Sequence, residues 1–413
     1  MVAAMTATDA TYPLIDDKKA RRNAVVLAVA QALYGISMTT QFLLSGLVGG
    51  MLAPEGYEFV ATVPLSLMML ANMATVIPAA MIMRRFGRRF GFMFSANFAI
   101  VGPAVAAYAI YIQSFTIFCA GTMLMGIYQG FSVYFRFAAA DTASDEFKPR
   151  AISWVLIGGV AAAFLGPNIA NWTSDMFLPI PFMGAYVAMI GIGVLGLITA
   201  SFVDSPPMTL ARRKSGTGRP LREIMAQPVF IVAVVCGMIS YGLMNLVMTA
   251  TPLAMIACGL QRGDAASVIQ WHSLAMFLPS FWTGSLISRF GNLRIIAIGL
   301  VLLAACSIVA LTGLNIEQFI IGLILLGLGW NFAFVGATTL LATCYRPEEQ
   351  AKTQAANDFM VFGTVAISSF SSGGLFYAFG WNVVLYTMLP FVTLAILALA
   401  WFALRRKAHS YMA

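Results

Sequence analysis

Chemistry has few places to reside in this chain. The two histidines are His272 and His409, and the five cysteines are Cys119, Cys236, Cys258, Cys306 and Cys344. They show no metal-ligand spacing and no His-Glu-x-x-His, and no nucleophile stands beside a base. A Gly-x-x-x-x-Gly-Lys-Ser/Thr phosphate cradle is missing too, so ATP is not the expected driving force. The expectation is no enzyme, no cofactor and no metal. What the sequence offers instead is amides and aromatic rings at helical spacing. Gln31, Tyr34, Met38 and Gln41 fall at offsets 0, 3, 7 and 10. Gln129, Ser132 and Arg136 fall at 0, 3 and 7, with Tyr128 beside them. Tyr241, Asn245 and Thr249 recur at every fourth residue; Trp330, Asn331, Phe334 and Thr338 form another group, and Gln270, His272, Ser273 and Phe277 a further one. Each group lies along one helix. Such faces bond a neighbouring helix, or stack on and hydrogen-bond a flat molecule with polar edges. Arg136 either snorkels or pairs with an acid such as Asp141, or it anchors an anionic group. His272 is a hydrogen-bonded helix partner or a proton relay.

The elements that carry these faces are set by composition. Sixty per cent of the 413 residues are apolar and 10% are charged, against roughly 25% charged in a typical soluble domain. So few charges cannot cover a soluble surface, which excludes a nucleic-acid factor, a cytosolic enzyme, a disordered chain and a disulfide-stapled secreted domain. Runs long enough to cross a bilayer occur twelve times, at about 24–48, 59–82, 91–110, 115–138, 151–172, 182–203, 228–250, 268–288, 295–314, 318–343, 357–379 and 382–403. With the N-terminus placed inside, 22 of the 24 basic residues fall in inner segments, leaving Arg262 outside and Arg136 within a span. That bias is the positive-inside rule, and it accounts for the net charge of +8 without nucleic acid. The expected organisation is a cytoplasmic tail (1–23), a six-helix bundle (24–203), a cytoplasmic linker (204–227), a second bundle (228–403) and a cytoplasmic tail (404–413).

The two bundles echo each other. After the second span the chain reads Ala80, three residues, Arg84, then Arg85-Phe86-Gly87-Arg88-Arg89; after the eighth it reads Gly284, three residues, Ser288, then Arg289-Phe290-Gly291 and Arg294. A motif repeated in the same register on equivalent turns points to an internal repeat. Twelve spans, a central linker and this doubled turn resemble the major facilitator superfamily. The family's turn carries an Asp where Arg84 and Ser288 stand here, so its latch between the halves needs a substitute. Basic turns with Arg85, Arg88, Arg89 and Arg289 could pair across the halves with Asp141, Asp145, Glu146 and Asp358, forming when the inside closes and breaking when it opens; the alternative is solvated charges worth under about 1 kcal/mol. Small residues at Gly158, Ala162 and Gly166 before Pro167 resemble a stripe often linked to antiporters in the family, and equally a helix-packing seam.

Two stretches, Gly126 to Asp141 and Met248 to Ser280, resemble the proteobacterial branch of the superfamily that includes riboflavin importers. The resemblance implies twelve helices in two pseudo-symmetric bundles around a central cavity. Spans one, four, seven and ten would line it, making the residue groups above the candidate substrate site. These spans hold no midplane Asp or Glu, which disfavours cations and suits a neutral heteroaromatic cargo. The expected function is alternating-access uptake of a small nutrient, riboflavin by the resemblance, in a bacterial-type inner membrane with both termini cytoplasmic. Partners would be the substrate, the lipid bilayer and, for symport rather than uniport, protons; the chain is expected to be monomeric. The competing reading is a proton-coupled exporter of drugs or metabolites.

Overall fold

Within a bilayer the backbone satisfies its polar groups internally, and here it does so with helices. The computed structural model describes residues 16–141, 143–144, 146–204, 218–346 and 349–412. The first 15 residues, Asp145 and the linker cluster Arg212, Arg213 and Lys214 lie outside the described residues. The first half contains α1 (Asp17–Leu52), α2 (Val63–Phe86), α3 (Arg88–Tyr111), α4 (Phe115–Ser132), α5 (Phe135–Ala140), α6 (Lys148–Thr173) and α7 (Met183–Ser201). A short α8 (Leu221–Met225) ends the linker. The second half contains α9 (Pro228–Ala257), α10 (Arg262–Phe277), α11 (Ser280–Phe290), α12 (Asn292–Ala310), α13 (Ile316–Leu341), α14 (Gln350–Phe379), α15 (Trp381–Tyr386) and α16 (Met388–Met412).

Eleven helical segments among the described residues are long and apolar enough to cross a membrane. The expected eighth span is split instead, into α10 and α11. Pro279 sits at the break and has no N–H to give to the preceding turn. The fourth span also bends, where Val133 and Tyr134 separate α4 from α5. α1 begins earlier than its apolar run, because the Asp16 carboxylate accepts from the N–H groups of Lys18 and Lys19 and caps the helix. Its apolar residues point both ways: Leu27 is fully buried while Val25 is exposed, as expected of a helix between a protein core and lipid.

The doubled turn has one geometry in both halves. Gly87 (φ 89°) and Gly291 (φ 85°) each close one helix and open the next. Their N–H groups donate to the carbonyls of Met83 and Ile287, at 2.9 and 2.8 Å. Positive φ with extended ψ is glycine territory. The preceding arginines also match: Arg85 lies over Phe86 at 5.2 Å and Arg289 over Phe290 at 5.4 Å.

Within the first half α1 packs on α6, and α4 on α2 and α3; within the second α9 packs on α13 and α14, and α12 on α13. The stripe Gly158, Ala162 and Gly166 is the seam of α6 with α1. A Cβ on Gly158 would strike the Ala28 carbonyl at 2.2 Å, so the two backbones approach closely. Across the halves α6 meets α10, α2 meets α14 and α1 meets α9. The bonds joining the halves gather at the end away from the basic turns. There Thr62 Oγ1 donates to the Phe370 carbonyl and accepts from the Gly373 N–H at 3.1 Å. Asn168 donates to Gln270 at 2.9 Å, and Arg262 reaches Asp175 at 2.7 Å.

Candidate substrate-binding cavity

Between the halves, aromatic rings dominate. Trp330 and Phe334 are one turn apart on α13 and stack with centroids 5.3 Å apart and planes at 14°. Tyr241 of α9 stands edge-on to both, at 5.3 and 5.1 Å. Phe362 of α14 closes on Tyr241 at 5.9 Å, and Phe277 of α10 approaches Trp330 at 6.5 Å. Trp330 Nε1 is buried without a hydrogen-bond partner among the described residues. Offset and edge-on pairs are the favoured aromatic arrangements, so the cluster is a stable platform with an unspent donor.

Facing it, the first half presents Tyr34 on α1, edge-on to Tyr128 at 5.7 Å and to Phe135 at 6.5 Å. Tyr34 lies within electrostatic reach of Tyr241 across the halves. Met38 is half-buried, and with Tyr34, Ser37, Met68 and Tyr128 it surrounds a cavity of about 10 Å³, room for about one water. Gln31 is half-buried on the same face of α1.

Arg136 of α5 is exposed, with its guanidinium 4.9 Å from the Phe137 ring. It lies close enough to Asp358 and Tyr241 of the second half to interact with both. α5 is oriented by a bidentate pair: Arg88, almost fully buried, donates to Asp141 at 2.8 and 3.2 Å. Tyr134 Oη donates to the Val76 carbonyl at 3.0 Å. Asp141 is taken up by Arg88 of its own half, and Asp358 stands opposite Arg136 rather than a basic turn. Arg85, Arg89 and Arg289 are exposed at the basic end.

Several expected site residues bond neighbouring helices. Asn331 is fully buried; its amide donates to the Met276 carbonyl and Ser280 Oγ, both at 2.7 Å, and its carbonyl accepts from Thr283 at 2.6 Å. It holds the two sides of the Pro279 break together. His272 faces α13, with Nδ1 2.8 Å from the Leu323 carbonyl. Asn245 donates to the Val365 carbonyl and Ser368 of α14, at 3.2 Å each. Ser132 Oγ bonds back to the Tyr128 carbonyl. Gln270 holds Asn168 across the halves. Gln41 is fully buried on α1, near Tyr186 of α7. Gln129 and Thr249 are buried, each with one oxygen that lacks a partner among the described residues. Phe362 was not anticipated, yet it lies four residues beyond Asp358 on one helical face. Phe277 lay in a noted group but gains its role only through the ring contact to Trp330.

The profile of the Major Facilitator Superfamily matches residues 233–411. Riboflavin transporter RfnT of Brucella anthropi is 43% identical over 391 residues, covering 94% of this chain and 97% of that protein. The chain belongs to the major facilitator superfamily. Solved structures of the superfamily's architecture agree in fold. The POT family transporter PepTSo has a TM-score of 0.72 at 12% identity, covering 98% of this chain and 99% of that one. A bacterial homologue of the human lysosomal transporter Spinster, inward-facing and unoccupied, has a TM-score of 0.69 at 15% identity, covering 94% of this chain and 97% of that one. The fold is thus the superfamily's twelve-helix architecture, and the protein is a multi-pass membrane transporter.

Proposed function

We propose that this superfamily member imports riboflavin across a plasma membrane by alternating access. The observation that carries the reading is near-full-length 43% identity to a riboflavin transporter, and the ring platform agrees with it chemically. An isoalloxazine is flat and neutral, with carbonyl edges. Trp330, Phe334 and Tyr241 supply faces for stacking, and Trp330 Nε1 supplies a donor. Arg136 is placed for the cytoplasmic side of the path, if basic turns face the cytoplasm as the positive-inside rule requires. The bonds that join the halves at the far end suit an inward-facing state. Two six-helix bundles, 24–203 and 228–403, are the bodies that rock about the site.

The test is uptake of labelled riboflavin in a riboflavin-auxotrophic host lacking its own importer. The wild-type chain restores uptake. Trp330→Ala at equal membrane abundance raises KM about tenfold, from the loss of one or two ring contacts at about 0.5–1.5 kcal/mol each. Absent uptake with folded protein in the membrane sinks the cargo and leaves the carrier fold standing. Collapsing the proton gradient in the same cells separates symport, which stops, from uniport, which continues down the riboflavin gradient.

A further inference from the structure

A second binding region lies away from the central cavity. At the basic end of the second half, α9, α11, α12, α13 and α16 enclose a groove of about 780 Å³. Its walls include Phe290, Leu293, Leu340 and Phe402, and Arg294 and Arg405 stand on its rim. The groove borders an apolar surface, since Trp401 and Leu404 of α16 are exposed beside Phe402 and Arg405. Two features favour a phosphate there. Two guanidiniums line one groove. α12 begins within it, with neither a side-chain cap nor an acidic residue in its first turn, so its first N–H groups present partial positive charge.

We propose that this groove binds an anionic phospholipid of the leaflet at the basic end, of the phosphatidylglycerol type. The phosphate lies against Arg294, Arg405 and the start of α12, and an acyl chain lies along Phe290 and Leu293. Basic pockets between membrane helices are suited to such headgroups. The site touches none of the central ring cluster, so its occupancy is read without reference to cargo.

The experiment is native mass spectrometry of the purified full chain in detergent, titrated with dioleoyl phosphatidylglycerol or dioleoyl phosphatidylcholine. Wild-type protein retains phosphatidylglycerol selectively. Arg294→Ala/Arg405→Ala weakens retention about thirty-fold, at about fivefold per guanidinium. Thr343→Trp, which fills the groove and keeps both arginines, also loses the lipid, so the conclusion does not hang on a variant that fails to fold. Arg84→Ala/Arg85→Ala, an exposed basic pair at the same end of the first half, retains it. Equal retention of both lipids overturns the proposal, as does equal loss in the Arg84/Arg85 variant, which would mean general attraction to positive charge. Competition by millimolar inorganic phosphate as effective as by the lipid overturns it as well, since the groove would then hold an anion alone.

Discussion

Asn331 shows how one amide can look like a ligand and act as a brace. It shares α13 with Trp330, and its buried amide spans the Pro279 break with three bonds. Asn331→Ala would leave Thr283, Ser280 and the Met276 carbonyl with one partner fewer, at about 1–3 kcal/mol. The expected outcome is a lower melting temperature and less active protein, with an unchanged riboflavin KM in the fraction that folds. Trp330→Ala removes a buried ring and so lowers melting too, but it differs in raising KM in the fraction that folds; parallel thermal-shift and uptake measurements separate the two. Sequence spacing placed Tyr34, Tyr241, Trp330 and Phe334 on helical faces, and these rings do gather between the halves. It did not distinguish the face toward the cavity from the face toward a neighbouring helix. His272 and Asn245, for example, share their faces with bonds to α13 and α14. Periodicity fixes which residues share a side, and packing partners far along the chain fix which way that side turns.

The helices depend on their junctions. Gly87 and Gly291 hold the same positive-φ geometry in the two halves, and a Cβ at either is strained by the backbone alone, with no neighbour to clash. Gly87→Ala and Gly291→Ala should each cost about 1–3 kcal/mol, by similar amounts because the turns are equivalent; thermal unfolding in detergent checks it. A grossly unequal pair would argue against the structural repeat. The linker's end is fastened by Arg219, whose side chain and N–H donate to the buried Glu349 at 2.8 to 2.9 Å. Hydrogen bonds from the Arg219 side chain, then from the Arg346 and Arg219 backbone, hold the Glu349 carboxyl well below the usual carboxylate range. A depressed folded value means the stabilisation is complete above the unfolded value of about 4.3 and is lost as pH falls further toward the folded value. The stability gap between wild type and Glu349→Gln should therefore be constant at neutral pH and shrink only below about pH 4.3. A gap that already narrows between pH 7 and pH 6 would contradict the pairing. Nothing in the sequence foretold this contact, because 130 residues separate its partners.

Across the whole molecule, apolar runs and charge asymmetry were enough to foresee twelve crossings, since lipid allows little else. The split at Pro279 was not foreseen as a break, because a proline inside an apolar run is also compatible with a continuous kinked helix. The state of the molecule was not legible at all. It depends on which cross-half contacts are made, and Thr62 with Phe370 and Gly373, or Asp175 with Arg262, are distant in the chain and ordinary in type. In a background free of the five native cysteines, Asp175→Cys/Arg262→Cys joined by a reducible bifunctional thiol reagent should abolish uptake. Cleaving the linkage should restore it. Uptake that persists in the cross-linked protein would mean that this end need not open.

The fastening at that end is also light. A neutral hydrogen bond contributes about 0.5–1.5 kcal/mol, and an exposed ion pair such as Arg262 with Asp175 contributes less than about 1 kcal/mol. Together they amount to a few kcal/mol, which is the range over which a bound solute can invert a two-state population. A firmer clasp would stall the carrier in one orientation, and a looser one would let it rest open to the wrong side. The modest stickiness of a threonine, an amide pair and a surface salt bridge thus sets the resting ratio of the two orientations, and with it how often an empty carrier returns for the next molecule.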